Sequence, residues 1–252
     1  MVREKLYLST MDENAHVLAK QYGLGLELTE FSVPWNLDRE LEQTIIKLQK
    51  KVPCTDRFLI HGPYSELFPC AVDPIIRQVA DYRFRQTLRM AQNYSAAKVI
   101  FHGGYNERLF FPVWYQEQSV EFWKKFADQI PEGITVCLEN VLETTPEMLG
   151  NIVRQVDSPK IRMCLDVGHA HAYSEASPEE WVESCGDVIA HFHIHNNDGT
   201  RDTHSQLCEG NIPMDSLLEK IDAHCPDATI TLEIDGAEPS VKWLAEKKLL
   251  EG

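Results

Sequence analysis

Arg162-Met163-Cys164-Leu165-Asp166-Val167-Gly168-His169 is the stretch whose reading decides the fold. A short, largely apolar run of strand length ends in an aspartate, and a glycine and a histidine follow at once. The same construction recurs. Phe58-Leu59-Ile60 runs into His61-Gly62, Val99-Ile100-Phe101 into His102-Gly103, and Thr135-Val136-Cys137-Leu138 into Glu139-Asn140; later runs reach His195 and Glu233. The spacing predicts strands over 6–9, 25–29, 58–61, 99–102, 135–139, 162–166, 190–195 and 229–234. Amphipathic stretches between them predict helices over 13–22, 38–51, 73–93, 114–129, 145–155, 178–185, 214–224 and 239–248, several opened by Asp, Ser, Thr or Pro.

Eight strand–helix cycles in 252 residues give an α/β chain and predict a closed (β/α)8 TIM barrel. An open doubly wound sheet would want a glycine-rich phosphate loop after its first strand, and Ser9-Thr10-Met11-Asp12 is not one. No linker, composition shift or charge block divides the chain, so one domain over residues 1–252 is expected. Acidic residues number 39 against 24 basic, a net charge of −15 that weighs against a nucleic-acid-coating surface and leaves a metal-lined groove open. Seven cysteines without a C-x-x-C pair read as reduced packing residues, and with no signal-peptide pattern the expected location is cytoplasmic. No apolar run is long enough to span a membrane. These features are compatible with an oligomer.

In a parallel barrel all strand C-termini share one rim, where the working loops gather. His61, His102, Glu139, Asp166, His169, His195, Asp202, His204 and Glu233 therefore converge, and a ring of imidazoles and carboxylates suits a borderline divalent metal. A lone histidine at a strand end is more often a hydrogen-bonded structural residue than a ligand. Six consecutive strands ending this way shift the balance, because unrelated polar residues would not all fall at one end. His191 and His193 share the face of His195 but lie deeper, and read as interior residues that shape the barrel. Serine-hydrolase elbows, Walker loops and dinucleotide fingerprints are absent from the sequence.

The motifs His-Gly-Pro-Tyr from His61, Phe-His-Gly at His102, Leu-Glu-Asn at Glu139, Leu-Asp-Val-Gly-His-Ala at Asp166, His-Ile-His-Asn-Asn-Asp-Gly-Thr-Arg-Asp-Thr-His from His193, Glu209-Gly210-Asn211-Ile212 and Leu-Glu-Ile at Glu233 resemble the xylose isomerase-like TIM-barrel superfamily. The resemblance covers about 175 residues, and within the superfamily the chain is similar to the sugar phosphate isomerase/epimerase group and to endonuclease IV. It implies a core metal site at Glu139, Asp166, His195 and Glu233, holding Zn or Mn. The isomerase branch implies one divalent metal, proton transfer by Glu139 and Glu233, and contacts of His169, Arg201, His61 and Tyr64 with a ketose, polyol or sugar phosphate. The endonuclease branch implies three zinc ions, with His61, His102, His169, Asp202 and His204 as further ligands, and cleavage of abasic DNA. The acidic surface and the scarcity of rim cations beyond Arg108 and Arg201 favour the sugar and make nucleic acid the lesser partner.

Overall fold

Side chains alternate across a strand, so residues two apart share a face. That period orders the interior of the barrel. The strands are β1 (Leu6–Ser9), β2 (Gly25–Leu28), β3 (Phe58–His61), β4 (Lys98–His102), β5 (Thr135–Glu139), β6 (Ile161–Asp166), β7 (Ile189–Ile194) and β8 (Thr229–Leu232). They pair in parallel and in chain order, and β1 also pairs with β8, so the sheet closes and leaves no edge. The computed structural model describes residues 3–250. Tyr7, Leu59, Ile100, Cys137 and Cys164 form a small apolar cluster inside the barrel. Two residues further along β3, β4, β5 and β6, the same face carries His61, His102, Glu139 and Asp166. The period of two thus lifts the chain from an apolar floor to a polar mouth.

The helices are α1 (Ala15–Tyr22), α2 (Leu41–Leu48), α3 (Pro74–Asn93), α4 (Pro112–Ala127), α5 (Pro146–Val156), α6 (Val167–Tyr173), α7 (Pro178–Cys185), α8 (Met214–His224) and α9 (Glu238–Glu246). Proline in the first turn opens α3, α4, α5 and α7, where its missing N–H costs nothing. The eight expected helices are present, with α2 shorter than the 38–51 read from the sequence. Asp38 leaves helical geometry, and its carboxylate instead accepts from Arg83 and Gln86 on α3. Helix α6 is not among the elements expected from the sequence. Asp166 ends β6 and at the same time caps α6, its carboxylate accepting the His169 N–H at 2.6 Å, so strand passes to helix with no loop between. β7 and β8 end one residue before His195 and Glu233, which places both at the mouth itself.

The main core lies between the barrel and its helices. Trp123 of α4 is fully buried, stacked on Phe84 of α3 at 5.4 Å, with Phe101 of β4 against both. All seven cysteines are free thiols, as expected, and five are buried. Among the described residues no helix is long and apolar enough to cross a membrane. Trp123→Ala would open a cavity that the rigid barrel wall cannot collapse into, and should cost about 3–5 kcal/mol. A urea titration checks this; an unchanged midpoint would contradict the packing described.

Candidate functional site

Three carboxylates reach the mouth, Glu139 from β5, Asp166 from β6 and Glu233 just beyond β8. With His193 they form one compact group whose ligand atoms all lie within 4.8 Å of one another. Two further groups adjoin it at the mouth, His61, His102 and Glu139 on one side and His195, His204 and Glu233 on the other, and two more share His193 from below, Glu27–His61–His193 and Cys164–His191–His193. The acids are linked to imidazoles throughout. His61 Nε2 is 3.1 Å and His102 Nε2 3.4 Å from Glu139 Oε2. His195 Nε2 is 3.1 Å from Asp166 Oδ2, and Asp202 lies 3.4 Å from His169 and 2.8 Å from His204. All nine residues singled out as ligands from the sequence are therefore neighbours.

The compact group differs from the expectation in its imidazole. Where the resemblance implies His195, the structure brings His193 among the three carboxylates, its Nδ1 3.2 Å from Glu233 Oε2 and 3.4 Å from Glu139 Oε1. Reading His193 as an interior residue that merely shapes the barrel is thus incomplete. His195, beyond the strand, turns instead toward Asp166 and Asp202 and stacks on His204 at 4.1 Å. His191 behaves as expected, buried and bonded to Glu27 and Thr229.

Local features fix these side chains. The Asn140 side chain donates to the Asp166 carbonyl at 3.0 Å and accepts the Asp166 N–H at 2.8 Å, extending the β5–β6 pairing by a side-chain rung. His169 Nδ1 lies 3.0 Å from the Asn140 carbonyl. Buried Glu143, which the sequence reading does not single out, accepts from the Tyr115 hydroxyl at 2.6 Å and the Val141 N–H at 2.8 Å, bracing the loop after β5. At the rim Tyr64 is 44% exposed, stacks on His102 at 4.4 Å and meets the His61 ring edge-on at 5.7 Å. Arg201 is exposed on the loop after β7, beside Asp202. Between β4 and the first turn of α4, Phe110 and Tyr115 are buried, whereas Phe111 is exposed.

Burial opposes ionisation of Glu139, but the imidazoles of His102, His193 and His169 outweigh it and hold the carboxyl well below its usual range. Asp166 is likewise buried, yet His169 and His195 bring it down to about 2. Burial works against protonated His169 and His204; Asp166, Asp202 and Glu139 lift the first well above normal, and Asp202 foremost lifts the second to about 9. The mouth thus keeps its acids ionised. The donor set fits a divalent cation: oxygen and nitrogen atoms without a thiol suit Zn or Mn. Two of the polar atoms that face this group, His193 Nδ1 and Asp202 Oδ1, are buried with no hydrogen-bond partner. Orphaned buried polar atoms around one acidic pocket are what a cation would satisfy.

The family described as xylose isomerase-like TIM barrel matches residues 19–250, and the chain belongs to it. The uncharacterized protein MJ1311 of Methanocaldococcus jannaschii is 30% identical over 200 residues, which are 73% of this chain and 66% of that protein. The chain thus spans just under two thirds of that relative's length. A D-tagatose 3-epimerase-like protein shares the fold at a TM-score of 0.77 and 24% identity, over 97% of this chain and 96% of its own. The TTHB071 protein from Thermus thermophilus, soaked with ZnCl2, does so at 0.77 and 23%, over 96% and 97%.

Gly168 shows how closely the mouth is packed. A Cβ there would lie 1.9 Å from His195 Cε1. Gly168→Ala should therefore displace the His195 ring from Asp166 and cost about 1–3 kcal/mol as a strained insertion. Imidazole NMR of the variant should show one shifted histidine; an unchanged His195 signal would contradict the contact.

Proposed function

We propose that this member of the xylose isomerase-like family is a metal-dependent isomerase or epimerase of a ketose or related polyol, with Glu139 and Glu233 moving the proton. The observation that carries the reading is the pair itself. Two glutamates from β5 and from the end of β8 meet in one buried group, with carboxylate oxygens within 4.8 Å, at the end of a barrel where chemistry is done. The epimerase-like protein of the same fold supports the substrate class, and the zinc-soaked one supports a metal.

Glu139, Asp166 and Glu233 would hold the cation, with an imidazole from His195 or His193. When bound, a divalent cation supplies Lewis acidity, which acidifies a C–H next to a ketose carbonyl. One ionised glutamate accepts that proton from one face of the carbon, and the other relays to the opposite face a proton supplied by its neighbouring imidazolium, His61 lying 3.1 Å from Glu139 and His193 3.2 Å from Glu233. His169 donates to a substrate oxygen, and Arg201 steadies a hydroxyl or the negative charge that develops. His61 and exposed Tyr64, whose rings meet at 5.7 Å, bound the sugar on the β3 side. Few cations stand on the mouth loops, so a phosphate clamp has little support, and the substrate class takes in free sugars and polyols as well as sugar phosphates. The domain boundary 1–252 and a cytoplasmic location belong to the same reading.

A second reading has one specific observation in its favour. The two flanking groups, His61–His102–Glu139 and His195–His204–Glu233, together with Asp202 and His169, would suit a trinuclear zinc phosphodiesterase acting on abasic DNA. The net charge of −15 opposes it, since a duplex must bring its phosphates past that field.

Glu233→Gln can still offer an oxygen to a cation but cannot accept a proton. It should fold normally and lose about 100-fold or more of the solvent-deuterium incorporation into a reactive ketose. Retained incorporation would contradict the role. Efficient nicking of abasic duplex by the native protein, at three zinc ions per chain, would favour the hydrolase instead.

A further inference from the structure

Beneath the mouth lies a polar layer that the proposed reaction does not use. Glu27 of β2 is fully buried. Its Oε2 accepts from the Thr231 hydroxyl at 2.6 Å and lies 3.1 Å from His191 Nε2; its Oε1 is 3.0 Å from His193 Nε2. A purely structural brace would end there, because every polar atom of the brace would be satisfied. His193 continues upward. Its Nδ1 has no hydrogen-bond partner although the ring is fully buried, and it faces Glu233 at 3.2 Å, Glu139 at 3.4 Å and Asp166 at 3.9 Å. The ring also stacks on His61 at 5.6 Å, which leaves it little freedom to turn.

We infer that Glu27 and His193 act as a positioning pair for the metal site: Glu27 fixes the ring by Nε2, and the unpartnered Nδ1 is thereby held facing Glu139 and Glu233, where the cation would sit. This rests on the metal reading above and extends it to residues that touch neither substrate nor solvent. An imidazole held at one nitrogen by a carboxylate and aimed by the other into a cation site is a common way to fix the geometry of such a site. Thr231 and His191 hold Glu27 in turn, so the chain of contacts runs from β2 through β7 to β5 and β8.

The test is a zinc competition titration against a chromogenic chelator, read without substrate. Glu27→Gln and His193→Asn should each weaken zinc binding by about 10- to 100-fold. The double variant should bind no more weakly than His193→Asn alone, because Glu27 acts only through that ring. Thr231→Val, which removes one of the groups that hold Glu27 Oε2 but keeps the contact of Oε1 with His193, should weaken binding by less than Glu27→Gln does. Should Glu27→Gln fail to fold, His193→Gln takes its place: its amide reaches toward Glu27 but leaves nothing at the Nδ1 position, and it too should lose affinity. Unchanged affinity in His193→Asn or His193→Gln, or losses that add in the double variant, would overturn the pair alone. Native protein that binds no zinc would overturn the metal reading and the pair together.

Discussion

The carboxylates of Glu139, Asp166 and Glu233 repel one another, and the rest of the mouth is built around that repulsion. Their ligand atoms lie within 4.8 Å of one another in a pocket largely closed to water. Two like charges at about 4 Å cost about 4 kcal/mol at an effective dielectric of 20. Nothing apolar can offset such a cost; it takes positive charge or hydrogen-bond donors. Imidazoles from β3, β4, α6, β7 and the loop beyond β7 surround the acids, and Asp166 gains as well from capping α6, whose N-terminal dipole favours a carboxylate. The Asn140 rung and the space left by Gly168 hold these groups at short range, so the acids stay ionised and inward-facing. A pocket that stabilises buried negative charge in this way is suited to a cation, and only then to polarising a substrate.

Much of this is legible in the chain. Apolar runs ending in His61, His102, Glu139 and Asp166 mark strand ends, and parallel closure then puts them at one rim, because strand direction alone decides which end faces the mouth. What escapes such a reading depends on closure across the barrel. Glu27 sits between Leu26 and Leu28, a single acid in an alternating strand, and sequence cannot say whether it faces water or the interior. Only the meeting of β2 with β7 and β8 inside the barrel pairs it with His191, His193 and Thr231. His193 is hard to place for a related reason. Counting from the strand end makes it deep, but Glu139, Asp166 and Glu233 reach down to its level. Helix α6 leaves no signal because Asp166 serves two elements at once, and no loop residue announces the change.

The electrostatic character of the surface bears on what enters the mouth. A net charge of −15 repels polyanions at long range, while a neutral sugar meets no such barrier. Exposed Tyr64, stacked on His102, offers an aromatic face beside the buried acids, and exposed Arg201 offers a single cation on the loop after β7. An apolar ring face with few charges suits the C–H faces and hydroxyls of a monosaccharide better than a bent duplex, which would ask for a cationic rim.

Anomalous diffraction from crystals grown with zinc or manganese tests the central claim most directly. A metal peak bonded to carboxylate oxygens of Glu139, Asp166 and Glu233 at about 2.0–2.2 Å, completed by an imidazole of His195 or His193, is the predicted result. A mouth without a peak, or a metal bound only elsewhere on the chain while these three carboxylates remain unligated, would contradict it.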